Sequence, residues 1–329
     1  MKLATLKDGS KDGRLVIVSR DLTRAADATA IAPTLLTAVE NWNASAPRLQ
    51  ALSERLSEGL ADGAFDFDPR QAAAPLPRAP QWCDGSAFLN HGSLMQQAFN
   101  LPPIADVERV PLMYQGGSDD MLGPHDDIAA LDEAHGIDFE GEFGVIVGDV
   151  PMASPPLLAG ERILLLVQIN DVSLRAFAPR EMRTGFGFFQ AKPSSSFAPV
   201  AVTPDELGDA WKDHRVHLDL RIDYNGAWFG NPHGGEMHFG FDQLIAHAAG
   251  TRRLSAGTII GSGTVSNAGG AKGSACIAER RAIEAIEHGS ARTPFMKFGD
   301  RVRMEVSLNA SPVFGAIDQC IVPARRPGV

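Results

Sequence analysis

The stretch Phe139-Glu-Gly-Glu-Phe-Gly-Val-Ile-Val-Gly148 is an apolar run that opens on two carboxylates, Glu140 and Glu142. Read as a strand over Glu140–Val147, it turns residues two apart to one face, so both glutamates point the same way. Two like charges side by side raise each other's pKa unless a cation or a solvated edge offsets the repulsion. A solvated edge is the ordinary reading of an isolated E-x-E, because surface carboxylates outnumber functional ones. Two further segments shift the balance. Asp171 directly follows the run Ile163-Leu-Leu-Leu-Val-Gln-Ile-Asn170, where a buried strand emerges and functional groups are often carried. Its plain alternative is an Asx-turn or N-cap aspartate. Upstream, Asp84 precedes His91 by seven residues, and a helix over Ala87–Phe99 would set the two near one face. There the plain alternatives are a helix cap and a satisfied core histidine. Together Asp84, Glu140, Glu142 and Asp171 form an all-oxygen set of the kind a hard divalent cation such as Mg²⁺ or Ca²⁺ prefers, with a histidine beside it to act on the substrate.

Around this nucleus the chain reads as mainly β. Met1–Leu6 and Arg14–Ser19 form a hairpin opening, and Ile31–Trp42 and Pro47–Leu60 carry apolar residues at helical spacing. Asp66–Pro80, with four prolines and an alanine run, reads as a linker, which places a boundary near residue 75. Beyond it, Ile163–Ile169, Val216–Tyr224, Thr258–Ile260, Val302–Leu308 and Gly315–Val322 read as strands, and Phe241–Ala249 as a short helix. Tyr224-Asn-Gly marks a hairpin. The expected fold class is α+β, mainly β, with a small domain over 1–75 and a larger one over 76–329.

The 329 residues carry 30 Lys and Arg against 40 Asp and Glu, a formal charge of -10. Such a chain suits neither nucleic acid nor an anionic membrane, since both are bound by Lys and Arg neutralising phosphate. Three cysteines, Cys83, Cys276 and Cys320, are too widely spaced for a zinc ribbon or a disulfide framework, and a reducing cytoplasm is the expected location. No apolar run approaches a membrane span, and the first twenty residues lack a signal-peptide core. There is no G-x-S-x-G elbow; Gly270-Ala-Lys-Gly-Ser breaks the Walker order, and Gly185-Phe-Gly187 stops short of a dinucleotide fingerprint. His214 and His217, three apart in an alternating segment, face opposite ways and are not read as ligands.

The series of motifs resembles the fumarylacetoacetate hydrolase family: an aspartate seven residues before a histidine, an E-x-E strand, an N-D-x-S-x-R segment, a lysine, a Gly-Thr turn and a later glutamate. Here these are Asp84 and His91, Glu140 and Glu142, Asn170-Asp171-Val-Ser-Leu-Arg175, Lys192, Gly263-Thr264 and Glu279. Tyr114 resembles the family's substrate-facing tyrosine. The resemblance implies a mixed β-roll catalytic domain behind a smaller N-terminal α/β domain, a homodimer, and a divalent cation, Mg²⁺ or Ca²⁺ with Mn²⁺ as a further option, on Asp84, Glu140, Glu142 and Asp171. It implies hydrolysis of a carbon–carbon bond in a β-diketo acid, with fumarylacetoacetate, at the end of tyrosine breakdown, as the first substrate to consider. His91 would be the general base and Glu279 its orienting carboxylate, with Lys192 and Thr264 holding an oxyanion or substrate carboxylate; Tyr114 and Arg175 would also face the substrate, Arg175 alternatively pairing with a carboxylate. The member that cleaves fumarylacetoacetate has glutamine and arginine where this chain has Ala178 and Asn100, which directs attention to substrate identity. Within the superfamily the competing readings are an acylpyruvate hydrolase, an isomerase or a decarboxylase; outside it, a non-catalytic domain with structural Ca²⁺.

Overall fold

The computed structural model describes residues 1–100 and 102–325. Among the described residues the strands form one sheet of eleven, one of six and two of two, and the two large ones are mixed. The larger runs in the order Phe65–Asp66, Arg24–Asp27, Arg14–Val18, Lys2–Leu6, Ala201–Val202, Ile163–Asn170, Gly141–Val147, Ile259–Gly261, Trp82–Gly85, Met113–Gly116, with Ser196–Phe197 also paired to Ile163–Asn170. Its pairs are antiparallel except Ile259–Gly261 beside Trp82–Gly85. The smaller sheet runs Ala227–Gly230, Leu220–Tyr224, Arg301–Leu308, Ile317–Pro323, Ile128–Ala130, with Ser311–Pro312 on the Arg301–Leu308 strand.

Period-two alternation divides the large sheet between two cores. Phe143, Val145, Val147 and Leu166 pack with Leu220, Ile222, Val302, Met304 and Ile317 of the small sheet. Trp82, Ile146, Leu165, Val167 and Ile169 face the other way, into a core shared with Leu3, Leu15 and Ile17 and with the helices Leu35–Glu40 and Trp42–Ser57. The sheets approach closely at Gly141, where a Cβ would stand 2.9 Å from both Ile222 Cδ1 and Leu220 Cδ2. The glycine inside Glu-Gly-Glu is thus the residue on which the second sheet closes, and the glutamates beside it face away from that core.

The mainly β α+β reading holds, while element boundaries shift. The second helix begins at Trp42, five residues before Pro47, which sits inside it; proline is tolerated near a helix start, and its usual place at the first position is what misdirects the reading. The first helix is only Leu35–Glu40, capped by Thr34, whose side chain accepts from Thr37 N. The Asp66–Pro80 stretch is no solvated linker. It contains part of a strand and a 3₁₀ turn at Pro69–Gln71, and Ala72, Ala74 and Leu76 are buried along the sheet, with Ala73 N donating to Thr5 O. Prolines and alanines there fix an extended, apolar strap. The strands of residues 2–66 also continue the large sheet through Lys2 beside Val202 and Leu3 beside Ala201. Asp84 lies on the Trp82–Gly85 strand and not at a helix start, since the following helix spans Leu89–Phe99. The hairpin at Tyr224 forms, with Asn225 and Gly226 at φ of 51° and 76°, and Tyr224 opposite Ala227.

Candidate active site

Four neighbouring strands end in one place. Asp84 has the parity of Trp82, Glu142 that of Ile146, and Asp171 that of Ile169, so all three emerge from the face that carries the helix-side core. Register aligns them: Glu142 lies opposite Ile169, and Asp84 lies between Gly261 and Tyr114. One carboxylate oxygen from each of Asp84, Glu142 and Asp171 falls within 4.8 Å of the others, and all three residues are buried.

Each carboxylate has a different surround. Asp84 Oδ1 accepts from Gly263 N at 3.0 Å; Gly263 has φ of 76°, a backbone conformation that favours glycine. Asp171 Oδ1 accepts from Ser195 Oγ at 2.7 Å, and its Oδ2 from Tyr114 Oη at 2.7 Å and Lys192 Nζ at 2.5 Å. Among the described residues Glu142 has no hydrogen-bond partner on either oxygen, although it is 0 % exposed. Burial, then the neighbouring charges of Asp171 for Asp84 and of Asp84 for Glu142, push both carboxyls well above the usual range. Burial, then the Asp171 and Asp84 charges, push the Tyr114 phenol up as well.

Glu140 stands apart from this trio. Its Oε1 accepts from Ser173 Oγ at 2.6 Å and Lys192 Nζ at 2.9 Å, its Oε2 from Thr264 Oγ1 at 2.5 Å, and Arg175 Nη2 makes an ion-pair contact with Oε1 at 2.8 Å. Burial works to raise its pKa, yet Lys192 and Arg175 outweigh it and hold the carboxyl well below the usual range. The four carboxylates expected to share one cation therefore divide into a trio whose only cationic contact among the described residues is Lys192 on Asp171, and one glutamate that meets both Lys192 and Arg175. Burial alone would lower the Lys192 pKa, but Asp171 and Glu140 raise it above the ordinary lysine value, keeping the ammonium charged. Two of its three N–H donors are committed, and one remains.

Near enough for the His91 charge to act on Glu140, the helices Leu89–Phe99 and Ile277–His288 pack together and bring His91 Nδ1 to 2.9 Å from Glu279 Oε2. Glu279 is 1 % exposed and sits in the first turn of its helix, where the dipole favours a carboxylate; His91 is 16 % exposed at its side chain. The glutamate fixes one ring nitrogen and leaves Nε2 for chemistry. Arg175 pairs with carboxylates, its Nε donating to Asp138 and its Nη2 contacting Glu140. Thr264 and Tyr114 likewise commit their hydroxyls to Glu140 and Asp171. Tyr114 also meets Phe188 edge-on at 5.4 Å between centroids. His214 and His217 lie away from the trio, the first 3.5 Å from Asp242 and the second ring to ring with His233.

Two participants escaped the sequence reading. Asp138, fully buried, pairs with Arg175, and its signal was the same period-two alternation that joins Glu140 to Glu142. Ser195 donates to Asp171, but in the run Ser194-Ser-Ser196 nothing distinguished it from a turn.

An unpartnered, buried Glu142 and an excess of carboxylate over cation describe a donor set that fits a hard divalent ion. Asp84, Glu142 and Asp171 are the residues placed to hold it.

Comparison with known proteins agrees with this architecture. A sequence family described as fumarylacetoacetate hydrolase C-terminal matches residues 81–322, and one described as fumarylacetoacetase N-terminal domain 2 matches residues 1–78. The chain is 28% identical over 177 residues to a 2,4-didehydro-3-deoxy-L-rhamnonate hydrolase of a Sphingomonas species, covering 53% of this chain and 58% of that relative. It is 21% identical over 232 residues to the oxaloacetate tautomerase YisK of Bacillus subtilis, covering 70% and 73%. The structure of a fumarylacetoacetate hydrolase from Exiguobacterium antarcticum superposes with a TM-score of 0.66 at 17% identity, covering 98% of this chain and 100% of that one. That of a maleylpyruvate hydrolase from Sphingobium sp. SYK-6, in complex with manganese (II) ion and pyruvate, gives 0.64 at 16% identity, covering 99% and 100%. Among the described residues no helix is long and apolar enough to cross a membrane. With the family matched over both parts of the chain and the fold shared along its length, the chain belongs to the fumarylacetoacetate hydrolase family.

Proposed function

We propose that this protein is a divalent-cation-dependent hydrolase that cleaves a carbon–carbon bond in a β-diketo acid. The observation that carries the reading is a buried carboxylate trio joined through Lys192 to Glu140, whose carboxyl feels the charge of His91, a histidine with its Nδ1 held 2.9 Å from a buried glutamate. A cation held by Asp84, Glu142 and Asp171 would supply Lewis-acid neutralisation of the negative charge that develops on the departing dicarbonyl fragment. His91 takes a proton from water through Nε2 as the water oxygen attacks the distal carbonyl carbon. Glu279 holds the Nδ1–H and stabilises the imidazolium, as the acidic member of a triad does. The carbon–carbon bond then breaks, its electron pair leaves with the enolate, and the His91 proton is returned to that carbon or its oxygen. Lys192 offers its remaining N–H to a substrate oxygen, while Glu140, saturated by its neighbours, keeps the lysine in place. The cation is Mg²⁺, Ca²⁺ or Mn²⁺ by donor type.

Fumarylacetoacetate is the first substrate in this reading, and an acylpyruvate is the second. The second is favoured by Ala178 and Asn100, which stand where the fumarylacetoacetate-cleaving enzyme carries substrate-contacting glutamine and arginine. The test follows loss of the diketo chromophore for fumarylacetoacetate, an acylpyruvate and maleylpyruvate, with oxaloacetate as a control for tautomerase activity, after chelation and readdition of Mg²⁺ or Mn²⁺. The expected result is cation-dependent turnover of at least one diketo acid, lost by about 10²–10⁴-fold in His91→Ala while Mn²⁺ still binds. Turnover that survives chelation, or Mn²⁺ affinity lost equally in His91→Ala and Asp171→Ala, contradicts it. A structural-Ca²⁺ domain would show a cation-dependent melting point and no product.

A further inference from the structure

Asp138 belongs to neither the trio nor the base, yet it touches the supports of both. It sits at the end of the short strand Ile137–Asp138, paired with Ser173–Leu174, and is fully buried. Its Oδ1 accepts from Ile277 N at 2.8 Å and its Oδ2 from Ala278 N at 2.9 Å, the first two N–H groups of the helix that carries Glu279. The third, Glu279 N, is taken by the cap residue Cys276 through Sγ at 3.3 Å. The first two orphan donors of this helix are therefore satisfied by a strand residue 139 and 140 positions away, and not by the helix's own cap. On its other side Asp138 Oδ2 accepts from Arg175 Nε at 2.9 Å, and Arg175 in turn contacts Glu140.

Building on the hydrolase reading, we infer that Asp138 is a positioning residue for the reaction: it pins the start of the Ile277–His288 helix to the sheet and so aims Glu279 at His91. The geometry explains why a carboxylate is used. Two oxygens receive two adjacent backbone N–H groups while one of them also takes the guanidinium, a set that an amide cannot reproduce, since Asn turns an NH₂ toward a donor. The helix start cannot slide or tilt without breaking these bonds, and a displacement of about 1 Å at a catalytic pair costs about 10²-fold in rate.

The experiment uses the full-length protein labelled with ¹⁵N-histidine, as wild type, Asp138→Asn, Glu279→Gln and the double variant, with His91→Asn to assign the imidazole. In the wild type the His91 Nδ1–H gives a downfield, hydrogen-bonded resonance that is lost in Glu279→Gln. Asp138→Asn, cooperatively folded by thermal melting, is expected to lose or shift that resonance as well. With a substrate that the wild type turns over, kcat falls about 10²-fold with KM within about twofold, and the double variant is no slower than Glu279→Gln alone, because Asp138 acts through that residue. A wild-type resonance in folded Asp138→Asn, or losses that multiply in the double variant, overturns the inference. Should Asp138→Asn not fold, Asp138→Ser keeps one acceptor and carries the same test; failure of both to fold also counts against it, since a positioning role leaves the fold standing. The resonance needs no substrate, so a protein without diketo-acid turnover whose His91 signal still depends on Asp138 sinks the hydrolase reading and leaves this inference in place.

Discussion

Glu140 and Glu142 differ by one residue of spacing and by opposite electrostatics. Among the described residues Glu140 receives Ser173, Lys192 and Thr264 together with Arg175, whereas Glu142 receives no hydrogen bond. Removing one partner of a buried charge network leaves the others uncompensated, at a cost of about 3–5 kcal/mol, whereas neutralising an unpaired buried carboxylate relieves the fold. In cation-free protein, Glu140→Gln should lower the melting midpoint while Glu142→Gln should raise it and abolish Mn²⁺ binding. Matched thermal scans and Mn²⁺ titrations check this; a stabilised Glu140→Gln would show that the cations around it are not held by its charge. The like-charge pairing was legible from the E-x-E spacing, but the division of labour was not. Lys192 and Arg175 reach Glu140 from residues 52 and 35 positions away by number, and spacing along one strand says nothing about which carboxylate they choose.

Among the elements, the strand Gly141–Val147 carries most of the fold's decisions, and it was readable because alternation is a local property. Helix ends were less so. Pro47 and the alanine run near residue 73 have the local character of punctuation, yet the first lies inside a helix, and Ala72 and Ala74 of the second lie buried on the sheet. Both depend on tertiary packing, which a window of sequence does not contain. Gly141 belongs to the same class: its need for no side chain arises from Leu220 and Ile222 of the other sheet. Gly141→Ala should cost about 1–3 kcal/mol in urea unfolding, the usual penalty for overpacking a core. A neutral substitution would mean that the sheets can part there without loss.

At the scale of the whole molecule, the formal charge of -10 acquires an address. Asp84, Asp138, Glu140, Glu142, Asp171 and Glu279 are all buried around the site, against Lys192 and Arg175. Except for Asp138, the order of these residues was legible along the chain; their grouping required the shared face of the large sheet. The imbalance has a pH signature. Asp84 and Glu142 have folded pKa values above their unfolded ones, so between the two they bind more protons folded than unfolded, and stability falls as pH rises through that window. Glu140 is lowered, so its contribution is present above its unfolded value and is lost only as pH falls below it. Cation-free protein should therefore melt progressively earlier as pH rises above the ordinary carboxylate range, and saturating Mn²⁺ should remove the decline, adding about 2.7 kcal/mol at a hundredfold excess over Kd. Melting curves above that range check it, and a flat cation-free profile would contradict it.

In the proposed mechanism Asp84, Glu142 and Asp171 form one cation site that works with the His91–Glu279 pair. Diffraction at the manganese edge from crystals equilibrated with Mn²⁺ tests it most directly. The expected result is an anomalous peak bounded by those three carboxylates, with His91 still bonded to Glu279 and turned toward the peak; no peak there in crystals soaked at saturating Mn²⁺, or a peak held by other residues, rules the site out.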